Sequence, residues 1–139
     1  WANVLSPFYF AKYVQAPLER IVEAMKVPVI LFCRGAADKL AVCNPAGISV
    51  DWTFDLPALR KQLPKEIALQ GNLDPMMLYG SKQTVKQHVE ALLKSMAGDP
   101  AYIFNLGHGM LPDLPVENVH TLVETVKASP ALHELSHSA

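Results

Sequence analysis

The sequence predicts an α/β protein in which four parallel strands alternate with helices. Three observations carry that prediction. Short apolar runs rich in β-formers recur at 28–33, 48–50, 67–69 and 102–106. The stretches that separate them place apolar residues at helical spacing. Each run then ends in a turn of polar residues, glycine or proline. A regular alternation of strand and helix means parallel pairing through right-handed crossovers. Two architectures accept it, an open doubly wound sheet and a slice of a (β/α)₈ barrel.

Ser6-Pro7 is a helix start, a hydroxyl cap followed by proline at the first helical position. Phe10, Ala11, Val14, Leu18, Ile21, Val22 and Met25 then recur at helical spacing and mark one buried face. Pro17 within that pattern should kink or split the helix. The continuous apolar run 28–33 reads as a strand buried on both faces. Arg34-Gly35 ends it, and 36–42 reads as a short helix before the turn Asn44-Pro45-Ala46-Gly47. The second strand, 48–50, delivers Asp51-Trp52 to its carboxyl end.

Asp55 caps a helix with Leu56, Leu59 and Leu63 on one side, and Pro64 stops it. The third strand, 67–69, runs into Gln70-Gly71-Asn72-Leu73-Asp74-Pro75, and 75–79 makes one helical turn closed by Gly80. Ser81 caps a long helix whose inward stripe is Val85, Val89, Leu92, Leu93 and Met96. The fourth strand, 102–106, leads to a last helix with Val116, Val119, Leu122, Val123 and Val126 inward. Residues 128–139, with Pro130, His133 and His137, read as a tail whose order the pattern leaves open.

Half of the 139 residues are hydrophobic and the formal net charge is −1, which suits one soluble domain with a core of its own. Lys+Arg 12 against Asp+Glu 13, with no basic stripe carrying aromatics, argues against nucleic-acid binding. No apolar run spans a bilayer and no secretory leader is visible, so no membrane association is expected. Two cysteines, Cys33 and Cys43, are too few for a disulfide framework and make a reducing cytosol the default.

All four strand ends carry polar or reactive groups: Cys33-Arg34, Asp51, Gln70-Asn72-Asp74 and Asn105-His108. His108 stands out, a titratable ring between two glycines at the carboxyl end of a strand, where parallel α/β folds bind ligands. Its bland alternative is a histidine that caps a turn. Asp51 and Asp74 read first as capping or turn residues. Arg34 fits an acidic substrate or a neighbouring acid equally well. Cys33 reads better as an inert packed thiol than as a nucleophile or zinc ligand, since no His-x-x-His, Cys-x-x-Cys or His-x-Cys accompanies it. His88, His120, His133 and His137 fall on helix faces or in the tail. Arg34-Gly35-Ala36-Ala37 lacks the dinucleotide-binding glycines, and there is no Gly-x-Ser-x-Gly elbow or phosphate loop.

Several stretches together resemble the carboxyl-terminal part of the uroporphyrinogen decarboxylase family. They are Ala2-Asn3-Val4-Leu5-Ser6-Pro7, Pro28-Val29-Ile30-Leu31-Phe32, Asp51-Trp52, Leu69-Gln70-Gly71-Asn72-Leu73-Asp74-Pro75 and Phe104-Asn105-Leu106-Gly107-His108-Gly109, followed by Pro112, Pro115, Glu117 and Val119. The resemblance implies the carboxyl-terminal half of a (β/α)₈ barrel, with 1–139 as a single partial-barrel domain. It implies a cytosolic homodimer that converts uroporphyrinogen III to coproporphyrinogen III in haem synthesis, using neither metal nor organic cofactor. His108 inherits the substrate-binding role of the family's Gly-His-Gly histidine. The family's pyrrole-binding aspartate, arginines and pocket tyrosine precede this segment, so no catalytic residue is assigned within 1–139 and the chain alone is expected to be inactive. An abrupt start at Trp1 fits a cut chain.

Two other readings compete. Zinc-dependent corrinoid methyltransferases resemble the chain in fold, but carry a His-x-Cys and a further cysteine where Leu31, Cys33 and His108 stand. The third is a non-catalytic half-barrel that binds a partner. In either half-barrel case the end strands have open edges and invite oligomerisation.

Overall fold

A computed structural model describes residues 2–130. A 3₁₀ turn, Ala2–Val4, leads to Ser6, whose Oγ accepts from the Tyr9 N–H at 3.4 Å and so caps α1 (Pro7–Phe10). The helical path then widens by one π turn, Ala11–Gln15, before α2 (Ala16–Ala24). Pro17 lies in the first turn of α2. Its ring nitrogen donates no hydrogen bond to the preceding turn, and the chain accommodates this by lengthening that turn rather than by breaking. The predicted interruption is therefore a change of helical register.

The strands are β1 (Ile30–Phe32), β2 (Gly47–Val50), β3 (Ala68–Leu73) and β4 (Tyr102–Leu106). Between them lie α3 (Ala37–Leu40) with a 3₁₀ turn Ala41–Cys43, α4 (Leu56–Arg60), and a 3₁₀ turn Pro75–Tyr79 followed by α5 (Lys82–Ser95). After β4 comes α6 (Val116–Lys127). The predicted caps form: Asp55 Oδ1 accepts from Ala58 N–H at 2.8 Å, Asp74 Oδ1 from Met76 N–H at 2.9 Å, and Ser81 Oγ from Thr84 N–H at 3.1 Å.

Among the described residues the sheet has four strands, all parallel, in the order β1-β2-β3-β4. That order decides between the two architectures. A doubly wound sheet reverses its strand order at a switch point so that helices cover both faces. Here each strand lies beside its predecessor, so right-handed crossovers put every helix on one face, as in a barrel wall.

Register sorts the strand residues by face. Leu31, Ile48, Leu69 and Tyr102 form one row across the sheet, and Phe32, Ser49, Gln70 and Ile103 form the next. The first row meets the helices. Leu31, Ile48, Val50 and Leu69 pack with Leu40, Leu56, Leu59 and Met96 in one core cluster. Leu73, Leu78, Val85, Val89, Leu93, Leu114 and Leu122 form a second under α5 and α6.

The opposite, inner face is open. Ile30 and Phe32 are 43% and 46% exposed and Ile103 is 42% exposed. This corrects the expectation that 28–33 is buried on both sides: Leu31, and in part Val29 and Cys33, are covered on the helix side, while Ile30 and Phe32 on the other face are not. Two helix stripes need a similar correction. Ile21 and Met25 on and just after α2, and Val116 and Val123 on α6, are exposed. Each belongs to a helix at one end of the sheet, where only the flank toward the neighbouring element is covered; Leu18 and Val22, and Leu122 and Val126, take those flanks. The third strand is longer than predicted and absorbs Gln70-Gly71-Asn72-Leu73. Pairing with β2 and β4 on either side outweighs the turn-like composition of that stretch. Of the tail, 131–139, including His133 and His137, lies outside the described residues.

Candidate functional site at the strand carboxyl ends

The carboxyl ends of β2, β3 and β4 touch through two glycines. At Gly71 the backbone has φ +138°, and a Cβ would stand 2.4 Å from the Val50 carbonyl oxygen of β2. At Gly107 a Cβ would stand 2.7 Å from the Trp52 nitrogen and 3.1 Å from Asp51 Cα. Neither position admits a side chain, so the end of β4 is drawn against the end of β2. The Gly107 N–H also donates to the Leu73 carbonyl at 2.8 Å, which extends the β3–β4 pairing into the turn.

That turn aims His108 at the other strand ends. Its ring centroid lies 5.9 Å from that of Phe32, at the end of β1, with 64° between the planes. It lies 6.2 Å from that of Trp52, just after β2, at 83°. Both are edge-on packings, which fix ring orientation without burying the ring. His108 itself is exposed. It borders an open hollow of about 510 Å³ that Phe32, Ser49, Asn105 and Met110 also line. On the inner face beneath, Gln70 Nε2 donates to Ser49 Oγ at 3.3 Å.

Asp51 is the buried keystone of the strand ends and makes no contact with the hollow. It is fully buried. Oδ2 accepts from the Gly35 N–H at 2.5 Å, and Oδ1 accepts from Thr53 N–H at 2.9 Å and from Thr53 Oγ1 at 2.5 Å. Burial by itself would push its carboxyl up. The hydrogen bonds from Gly35 and Thr53, with Arg34 nearby, outweigh that and hold it below the ordinary carboxylate value. Asn72 completes the tie, with Nδ2 donating to the Asp51 carbonyl at 3.0 Å and the Phe54 carbonyl at 2.7 Å. The turn reading of Asp51 and the capping reading of Asp74 are both what the structure shows.

The remaining candidates separate. The Arg34 guanidinium carbon stands over the Trp52 ring, 5.0 Å from its centroid. Cys33 is half-buried against the first core cluster. Cys43 is buried, and its thiol is pushed up by that burial first and by Glu19 second. Asn105 Oδ1 accepts from the Leu106 N–H at 2.8 Å. His120 lies on α6, and His88, on α5, borders a separate hollow with Trp52, Asn72 and Asp74 at the ends of β2 and β3 and does not line the one that His108 borders. Among the described residues no three His, Cys, Asp or Glu side chains converge as metal ligands.

Sequence reasoning passed over the residues that hold the His108 loop. Tyr79 Oη donates to Asp113 Oδ1 at 2.6 Å, joining the turn after β3 to the turn after β4. Asn118, 5% exposed and outside the apolar stripe read for its helix, donates through Nδ2 to the Leu78 and Gly80 carbonyls at 2.8 and 2.9 Å. Neither follows a local motif, since each pairs positions more than thirty residues apart. Trp52 carried a visible signal, an aromatic directly after a strand.

Comparison with known proteins gives a consistent picture. A sequence model of the family described as "Uroporphyrinogen decarboxylase (URO-D)" matches residues 1–129. A uroporphyrinogen decarboxylase of Protochlamydia amoebophila is 44% identical over 132 residues, covering 91% of this chain and 36% of that protein. One of Legionella pneumophila is 38% identical over 142 residues, covering 96% of this chain and 40% of that protein. The chain thus spans well under half the length of the curated relatives it matches. Among solved structures, a methyltransferase from Methanosarcina mazei superposes with a TM-score of 0.76 at 22% identity, covering 90% of this chain and 38% of that one. This last likeness speaks for the fold alone.

Proposed function

Because the chain belongs to the uroporphyrinogen decarboxylase family, we propose that it supplies the carboxyl-terminal wall of a site that decarboxylates the four acetate side chains of uroporphyrinogen III, giving coproporphyrinogen III. The observation that carries the reading is His108, set edge-on to Phe32 and Trp52 and bordering the hollow on the open face of four parallel strands. An exposed imidazole held in an aromatic frame at that place can exchange its bound water for a carboxylate and hydrogen-bond it.

The chemistry asks little more of this wall. Protonation of a pyrrole carbon makes the ring an electron sink. The bond from the side-chain carbon to the carboxylate then breaks, its electron pair enters the ring, and carbon dioxide leaves. A proton delivered to the resulting methylene makes the methyl group, and loss of the ring proton restores the pyrrole. The substrate thus supplies the sink that other decarboxylations take from a cofactor. What remains for protein groups is to orient carboxylates and balance charge. His108 does the first by holding one carboxylate in register. The acid that protonates the ring comes from outside these 139 residues, as does the rest of the barrel. A cytosolic homodimer is part of the same proposal. No helix of the described residues is long and apolar enough to cross a membrane.

The test is a chimera in which this chain replaces the matching segment of the Protochlamydia amoebophila relative. We expect coproporphyrinogen formation that His108→Gln lowers in kcat/KM by roughly tenfold to a hundredfold, the worth of one hydrogen bond to a charged group. The 139 residues alone should turn over no substrate. Full-rate decarboxylation by the isolated chain, or by the chimera carrying His108→Ala, overturns the proposal.

A further inference from the structure

We propose that Arg34 is a second carboxylate-binding residue of this site, taking a carboxylate of the tetrapyrrole other than the one held at His108. The inference rests on the porphyrinogen reading above and extends it to a residue at the end of a different strand.

The position of Arg34 is built. Its own strand ends at Phe32, and the next residue, Gly35, turns at φ +67° and donates its N–H to Asp51 Oδ2. The backbone beside Arg34 is thereby pinned to the fully buried Asp51. The guanidinium then lies over the Trp52 ring at 5.0 Å. A planar cation laid on an aromatic face keeps its N–H fork in its own plane, free to meet a carboxylate, and gives up little further freedom when it does.

Nothing among the described residues takes that fork. The nearby acid is Asp51, and both its oxygens are occupied by Gly35 and Thr53. The ion pairs among the described residues are Arg60 with Asp99 and Lys86 with Glu90, so Arg34 has no ion-pair partner there. Its side chain donates none of the hydrogen bonds found among those residues either. A held, unpaired cation would be an ordinary surface arginine were it elsewhere. Here the ring it rests on is the ring that His108 meets edge-on at 6.2 Å. Guanidinium and imidazole stand no farther apart than those two distances laid end to end. A macrocycle with carboxylates around its whole rim can present one to each of two groups that lie within such a span.

Two measurements test this. In the chimera, Arg34→Gln should lower kcat/KM for uroporphyrinogen about tenfold, and Arg34→Lys, which keeps the charge but not the planar fork, should recover part of the loss. In direct titration, the isolated chain carrying Trp1→Phe leaves Trp52 as the one tryptophan. Quenching of its emission by uroporphyrin, the oxidised macrocycle with the same rim carboxylates, then reports binding. Arg34→Gln should weaken that binding about tenfold and flatten its salt dependence, while leaving the urea midpoint of the chain in place. If Arg34→Gln binds within about twofold of the parent while His108→Gln binds weakly, Arg34 has no such role and the porphyrinogen reading survives. If the chimera is inactive and the parent chain does not bind uroporphyrin, the underlying reading falls and this inference with it.

Discussion

Replacing Asp51 by asparagine tests how the strand ends are held, and its effect can be worked out from the contacts. The carboxylate accepts three hydrogen bonds in a fully buried position. An amide of the same shape keeps one oxygen, which can still serve Thr53. Its NH₂ then faces the Gly35 N–H, donor against donor. One charge-assisted bond is lost, about 1.5–3 kcal/mol, and the Gly35 donor has no acceptor in its place. We expect a destabilisation of about 2–3 kcal/mol. At a urea m-value of about 1.5 kcal/mol/M the midpoint then falls by roughly 1.5 M with m unchanged. The pH dependence supplies a second signature. The folded-state pKa of Asp51 lies below its ordinary value of 3.8, so the folded protein holds the charged form more tightly than the unfolded chain does. This stability is complete above the unfolded value and is lost as the pH falls through the lowered folded value. The gap between the parent chain and the Asp51→Asn variant should therefore be widest near neutral pH and close in acid. A midpoint unchanged by the substitution, or a gap that widens on acidification, would refute the account.

Two further outcomes follow from the backbone and from the open face. Gly71→Ala puts a Cβ on the Val50 carbonyl at a φ that side chains rarely adopt; we expect at least about 3 kcal/mol of destabilisation by urea unfolding, and a loss below about 1 kcal/mol would mean that β2 and β3 are not held as described. Among the described residues the outer edges of β1 and β4 are unpaired, and Ile30, Phe32 and Ile103 lie open beside them, so the isolated chain should self-associate in light scattering and Phe32→Lys should shift it toward smaller species; a folded monomer at high concentration would contradict this.

Much of the fold was legible because its elements carry local signals. Ser6, Asp55, Asp74 and Ser81 all cap where their position before a proline or a helical pattern places them. Strand identity was legible as well, since an apolar run too short for a helix, set between two helical patterns, is most readily a buried strand. Periodicity records that a residue is apolar, however, and says nothing of whether anything covers it. Ile30, Phe32, Val116 and Val123 read as interior and are exposed, because cover depends on what stands opposite. Strand length failed in the other direction. Gln70-Gly71-Asn72 has the composition of a turn, and only pairing with β4, and with β2 as far as Gly71, makes it a strand.

The site was legible to the extent that it is local. Glycines flanking a histidine after a strand are a signal in one stretch of chain, and His108 does face the other strand ends. The rest is assembled across the sheet. Gly107 matters for Trp52 and Asp51, Tyr79 for Asp113, and Asn72 for Phe54, and no spacing rule links such pairs. Arg34 shows the consequence most sharply. Taken alone it fits a substrate and a neighbouring acid equally well. The structure favours the first, because the Asp51 oxygens already accept from Gly35 and Thr53 and no ion pair joins them to Arg34 among the described residues, although the guanidinium charge does help to keep Asp51 ionised. The same buried carboxylate that binds the strand ends together therefore leaves the guanidinium near it free. Stability of the rim and the placing of Arg34 meet at Asp51, because the Gly35 N–H that it holds belongs to the residue after Arg34; Asp51→Asn should therefore weaken the fold and also loosen the Arg34–Trp52 contact, read as a change in Trp52 emission.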